Sequence, residues 1–344
     1  MKFLIVGPSW VGDMVMAQGL FISLRQQHPD AVIDVLAPHG CKDLLQRMPQ
    51  VRNAITLDIG HGEFGLGKRW RLGKTLARNK YDQAIVLPNS FKSALVPLFA
   101  RIPVRTGWRG EARNVLLNDC RRLDKPNYPL MVERFVALAY PAGQPLPETL
   151  PRPALQFDAQ QTTALRSQLL LHDARPILVL CPGAEFGPSK QWPEEYFAEV
   201  ASHYIDAGYQ TWILGSAKDK EVGTRIQARL DNGRADWCRN LCGMTSLGDA
   251  IDLMAAASAV VSNDSGLMHV AAALGLPLVV VYGSTSAGFT PPLADRVRTL
   301  SLQLSCSPCF KRTCPLGHHN CMQQLHANQV IGALAELLNQ EAPR

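Results

Sequence analysis

Short apolar runs alternate along the chain with amphipathic stretches of helical period. Residues 2–7 (KFLIVG) read as a buried strand, and a glycine-containing loop then leads into a helix over 13–27. Met14, Ala17, Leu20, Phe21 and Leu24 recur there at the spacing of one helix face. Further strands are expected at 31–37, 54–58 and 82–88, with helices near 41–48, 70–79 and 90–100. A stretch with five prolines, PAGQPLPETLPRP at 141–153, interrupts the alternation and reads as a linker, because proline removes a backbone donor. The pattern then restarts, with strands at 177–182, 209–215, 259–263 and 277–283 and helices at 193–207, 218–231, 247–257 and 266–274. A last helix covers 325–340. Strand–helix alternation builds a parallel sheet covered on both faces. The expected fold class is therefore α/β, with two Rossmann-like doubly wound domains, 1–150 and 151–324, facing across a cleft. Ligands of such sheets lie beyond the carboxyl ends of the strands.

Composition narrows the class. A chain of 344 residues suits two domains, and 47% hydrophobic with 19% charged residues fits neither a disordered nor a membrane-embedded protein. The 35 Lys and Arg against 29 Asp and Glu leave a net charge of +6, too mild for a dedicated nucleic-acid binder. That balance suits an anionic small molecule or an acidic membrane surface. Pro8, Gly12 and Asp13 interrupt the first apolar run, unlike a signal peptide, and no run reaches the roughly 20 residues of a membrane span. The expected location is cytoplasmic, where thiols stay reduced.

The loops after the strands carry the candidate chemistry. Gly7 to Asp13 has the G-x4-G spacing of a phosphate loop, but Asp13 and Met14 stand where Lys and Ser or Thr belong. A carboxylate there repels phosphate. It serves either as a helix cap or as a general base. In the second half, SNDSGLMH (262–269) opens a helix after a strand, so Ser265 and Gly266 can offer backbone N–H groups to an anion. His269 lies one turn on. Asp264 suits phosphate only if it orients a neighbour. Lys190, in PGAEFGPSKQWP, can neutralise a diphosphate, and Asp219, in GSAKDKE, can take a ribose hydroxyl pair. Together these loops point to a nucleotide site, with a capped, locally satisfied helix as the plain alternative.

Basic residues gather in the first half, in 67–80, at Lys92, and at Arg105, Arg109 and Arg113. Most of 68–80 reads as a solvated helix face. Arginine elsewhere suits carboxylate or phosphate recognition, and a polyanionic acceptor at a membrane surface fits better than nucleic acid. Four of the nine cysteines crowd together as Cys306-x2-Cys309-x4-Cys314-x6-Cys321, with His318 and His319 between them. This spacing can form a structural zinc knuckle. The alternatives are reduced thiols packing a loop, or a disulfide formed on oxidation.

Read together, GPSWVGDMVMAQ, LPNSFKSALVP, RTGWRGEARNVLLND, PGAEFGPSKQWP and NDSGLMHVAAALGLPLVVVYG resemble the bacterial lipopolysaccharide heptosyltransferases, in order and over residues 1 to about 292. The resemblance implies the two-domain GT-B glycosyltransferase fold. It implies an acceptor-binding first domain, an ADP-heptose-binding second domain and a final segment, 325–344, packing back on the first. The implied reaction moves L-glycero-D-manno-heptose from ADP-heptose onto the first heptose of the inner core, with inversion and no cofactor for the chemistry. The alternatives are addition of the first heptose to the Kdo region, or another GT-B sugar-nucleotide transfer. Asp13 matches the family's general base, Lys190 its diphosphate lysine, and Ser265 and Gly266 its phosphate turn, with Asp264 and His269 beside the donor. Asp219 falls at the ribose and Thr245 at the adenine edge. Lys92, Arg109 and Arg113 are the acceptor-side candidates. The implied partners are ADP-heptose, a heptosylated Kdo–lipid A and the cytoplasmic face of the inner membrane, with no nucleic acid.

Overall fold

The structure is a computed structural model that describes residues 1–60, 63–171 and 174–340, and of Asn232 the backbone only. The chain divides into two compact units, Met1–Gln156 and Phe157–Arg344. The first holds β1 (Lys2–Val6), β2 (Val32–Ala37), β3 (Val51–Thr56), β4 (Gln83–Val86), β5 (Val104–Trp108) and β6 (Asp119–Arg121). They form one parallel sheet in the order β3-β2-β1-β4-β5-β6. The second unit holds β7 (Ile177–Cys181), β8 (Gln210–Ile213), β9 (Cys238–Asn240), β10 (Ala259–Asn263), β11 (Leu278–Val281) and β12 (Val297–Leu300). Its order, β12-β11-β10-β7-β8-β9, is also parallel throughout. Each sheet therefore winds outward from its first strand in both directions. Such an order opens a crevice at the carboxyl ends of the two central neighbours, β1 and β4 in one unit and β7 and β10 in the other.

The central strands form because they are apolar on both faces, as a sheet covered on both sides requires. All five residues of β7 and of β10 are buried. The apolar-run reading finds these strands and misses β5, β6, β9 and β12. β6 and β9 have only three residues each, VRTGW of β5 mixes polar and apolar residues, and DCR or VRTL carries polar residues that a half-covered outer strand tolerates. The helices Met131–Val136 and Ala159–Gln168 also escape it, as do the one-turn helices Asn232–Ala235 and Asn320–Gln323. Ala159–Gln168, AQQTTALRSQ, buries only Thr162 and Leu165, so its apolar stripe is too thin to read.

The proline-rich stretch is not a free linker. The Gln18 amide, on the helix Val11–Gln27, donates to the Ala154 carbonyl at 2.7 Å and accepts from the Ala154 N–H at 3.0 Å. The Gln156 N–H donates to the Arg47 carbonyl at 2.8 Å. These bonds carry the first unit on to Gln156 rather than 150. The final segment, expected over 325–344, forms the helix Ala327–Asn339. Its buried face (Val330, Leu334, Leu337) belongs to the core of the second unit, packed with Phe197, Tyr204, Val279 and Val281. Its apolar stripe has its partners there. Residues 341–344 of that expected segment lie outside the described residues.

Candidate active site

In the second unit every candidate donor residue follows the carboxyl end of a strand, and in a parallel sheet those ends share one edge. Lys190 lies in the short turn Pro188–Lys190 after β7. Its ammonium donates to Asp264 Oδ2 at 2.6 Å, just after β10. The Thr285 hydroxyl, after β11, donates to the same oxygen at 2.5 Å. Asp264 is 4% exposed. Asp264 thus orients a lysine, the neighbour role that the sequence reading required of it. One of three ammonium donors is spent on the carboxylate, and the others can serve a ligand.

Asn263 fixes the two loops against each other. Its amide donates to the Pro182 carbonyl at 2.6 Å and its carbonyl accepts from the Trp192 N–H at 3.2 Å. Ser265 caps the helix Gly266–Ala273, its hydroxyl accepting from the Met268 N–H at 3.4 Å. The first N–H groups of that helix, at Gly266 and beyond, have no intrahelical acceptor and can hold an anion. His269 is 5% exposed, on the next turn. Burial, together with the neighbouring Lys190 charge, pushes its pKa down to about 4, and Asp264 opposes this only partly. The imidazole is neutral at neutral pH.

Asp219 sits over β7. A Cβ on Gly183 would lie 2.7 Å from Asp219 Oδ2, so only glycine admits the carboxylate here. That oxygen accepts from the Ser216 N–H and hydroxyl, both at 2.8 Å. Thr245, half-buried, is in the turn before the Ser246-capped helix Leu247–Ala255. The Gly243 N–H donates to the Gly215 carbonyl at 3.0 Å, which ties that turn to the Asp219 loop. Lys190, Asp219, Thr245, Asp264, Ser265, Gly266 and His269 thus share the carboxyl edge of one sheet.

In the first unit, Asp13 is half-buried in the first turn of the helix Val11–Gln27. The N-cap residue is Trp10, so Asp13 is not the cap itself but an acidic residue of the first turn behind it. Lys92 follows β4 in the turn Phe91–Ala94, its ammonium donating to the Glu63 carbonyl at 3.4 Å. Arg109 follows β5 and is exposed. Arg113 is different. It is 0% exposed, and its guanidinium donates to the Pro88 and Trp108 carbonyls, to Asn89 Oδ1 at 3.0 Å and to the Ser93 hydroxyl at 3.4 Å. Its donors are consumed inside the protein, so it is a positioning residue for the 88–93 loop and not an acceptor contact. Burial lowers its pKa.

Similarity to known proteins follows this geometry. The model of glycosyltransferase family 9 (heptosyltransferase) matches residues 69–320. The chain belongs to glycosyltransferase family 9, the heptosyltransferases. Lipopolysaccharide heptosyltransferase 2 of Escherichia coli K12 is 50% identical, and that of Salmonella typhimurium LT2 is 49% identical, each match covering 99% of both chains. The solved structure of E. coli ADP-heptose lps heptosyltransferase II is 49% identical, covers 98% of each chain and superposes with a TM-score of 0.90. This family 9 chain is thus a glycosyltransferase with the two-sheet α/β fold expected of GT-B enzymes.

Motif reading missed three residues that hold the candidate site together. Thr285 and Asn263 hold the Lys190–Asp264 pair, and Ser189 anchors the lysine turn from below. The Ser189 hydroxyl donates to the Lys311 carbonyl at 2.5 Å and to Ser284 Oγ at 2.9 Å. Thr285 lies two residues past an expected strand end, and that position was the available signal. The four clustered cysteines are free thiols, as are the other five. Among the described residues, no group of three or more His, Cys, Asp or Glu is placed so that it could hold a metal ion. Cys306, Cys309, Cys314 and Cys321 nevertheless line one cavity of about 20 Å³.

Proposed function

We propose that the enzyme transfers L-glycero-D-manno-heptose from ADP-heptose onto the first heptose of the lipopolysaccharide inner core, with inversion. The observation that carries this reading is the Lys190–Asp264–Thr285 cluster beside a free helix N-terminus at the switch point of the second sheet. The near-full-length likeness to proteins named heptosyltransferase 2 supports it.

In the proposed reaction Asp13 accepts the proton of the acceptor hydroxyl. That oxygen forms a bond to the anomeric carbon from the face opposite the nucleotide. The bond from that carbon to the β-phosphate oxygen breaks, and its electron pair leaves with ADP. Negative charge grows on the diphosphate as it departs. Lys190, held by Asp264, and the N–H groups at Ser265 and Gly266 stabilise that charge. Asp219 and Thr245 take the ribose and the adenine edge. No step calls on a cofactor. Lys92 and Arg109 meet acidic groups of the heptosylated Kdo–lipid A acceptor.

Peripheral contact with the cytoplasmic face of the inner membrane belongs to the same proposal. Among the described residues, no helix is long and apolar enough to cross a membrane. Phe64, Leu66 and Trp70 are about half exposed, next to exposed Lys68, Arg71 and Lys74. Aromatic and basic side chains in one short span suit an anionic lipid surface.

An acceptor-swap assay tests the assignment. Purified enzyme and ADP-heptose are offered acceptors with and without the first heptose. Transfer to the heptosylated acceptor alone is expected. Transfer to the heptose-free acceptor would reject the assignment in favour of first-heptose addition, and no heptose transfer to either would point to another sugar nucleotide.

A further inference from the structure

Residues 301–319 connect β12 to the short helix Asn320–Gln323 with no helix or strand of their own. Loops of that length in a compact domain are uncommon without a special means of ordering them. This one is closely tied to the donor loops. The Phe310 N–H donates to the Ser284 carbonyl at 2.7 Å, and the Ser189 N–H donates to the Arg312 carbonyl at 3.1 Å. The Ser307 hydroxyl donates to the Gly283 carbonyl. A Cβ on Gly187 would stand 2.5 Å from the Arg312 carbonyl oxygen, so the two loops are in backbone contact. Lys190 and Thr285, which grip Asp264, therefore rest on this segment.

The four half-buried cysteines of the segment converge. They line a single cavity of about 20 Å³, room for about one water-sized guest.

We propose that Cys306, Cys309, Cys314 and Cys321 bind one tetrahedral, thiophilic ion of the zinc or iron class, and that this ion holds the loop on which Lys190 and Thr285 rest. Four sulfur ligands select such metals over magnesium or calcium. Each ligating thiol gives up its proton as the ion binds. The thiols are not gathered at ligating geometry beforehand, so the ion draws them inward over the cavity. It lies outside the reacting groups and is structural.

The experiment is elemental analysis of the full-length protein, purified without chelator and without a metal-affinity column, paired with ADP titration. About one zinc or iron per chain is expected, with the element itself distinguishing the two. Cys314→Ser and Cys309→Ser are expected to lose the ion and to weaken ADP binding roughly ten-fold. Cys120→Ser, outside the cluster, is expected to change neither. Should the cluster variants misfold, thiol counting on the wild type decides. Four additional thiols are expected to become reactive when a chelator is added. A metal-free protein, or non-reducing mass spectrometry that finds a disulfide among these cysteines, would overturn the site. The positioning half rests on the donor reading above, whereas metal content does not. A bound ion with unchanged ADP affinity in both the cysteine variants and Lys190→Ala would sink the donor reading and leave the ion site standing.

Discussion

Asp13 and Lys190 divide the proposed chemistry between a proton acceptor and a charge clamp, and their removal should separate kinetically. Asp13→Asn keeps the shape and removes the base. Turnover should fall by about 10²- to 10⁴-fold with ADP-heptose affinity nearly unchanged. Near-normal turnover in that variant would reject the base. Lys190→Ala should instead raise the Kd for ADP by ten-fold or more, because a charge-assisted contact to phosphate is lost. It also strands Asp264, which keeps Thr285 as a partner. Calorimetric titration reads the difference. His269 makes a pH prediction. Its folded pKa, about 4, lies below the ordinary 6.5 because burial disfavours the imidazolium. The unfolded chain therefore binds more protons between those values. The stabilisation is complete above pH 6.5 and is lost as the pH falls toward 4, by up to about 3 kcal/mol. His269→Gln should flatten that part of the profile of urea midpoint against pH, and an unchanged slope would contradict the assignment.

At the scale of elements, the sequence was legible where burial on both faces leaves long apolar runs. β1, β2, β4, β7, β8, β10 and β11 all announce themselves this way. The outer strands and the helix Ala159–Gln168 bury too little to leave a period. The loops that carry Asp13, Lys190 and Asp264 could be placed because a parallel sheet presents its active loops at strand ends. What holds the 88–93 loop could not be read, since Arg113 looks in sequence like any surface arginine of a basic segment. Its partners at Pro88, Asn89, Ser93 and Trp108 come together only when β4 and β5 pair. Arg113→Ala should therefore cost about 3 kcal/mol or more, because it empties a buried volume and leaves carbonyls unpaired. Arg109→Ala, at an exposed position, should leave the urea midpoint nearly unchanged and weaken acceptor binding instead. Equal destabilisation by the two substitutions would contradict this division of roles.

Across the whole molecule, the two units repeat one strand order with different loop chemistry. The carboxyl edge of the first sheet carries Asp13, Lys92 and Arg109. That of the second carries Lys190, Asp219, Thr245, Asp264 and the helix opening at Gly266. Each unit has its own strands and its own buried core. A nucleotide held by the second set should therefore stabilise that unit first. Hydrogen exchange with saturating ADP should slow in 183–190, 215–219, 243–246 and 264–269, since ligand binding raises the free energy of local opening by the binding energy it adds. The strands β1 to β6 should exchange as they do without ADP. The 306–321 segment offers an internal comparison. If it supports Lys190 through Ser189, its amides should gain protection with ADP although none of them contacts the nucleotide. Protection centred instead on the loops after β1, β4 and β5 would place the nucleotide on the first unit and reverse the donor and acceptor assignments.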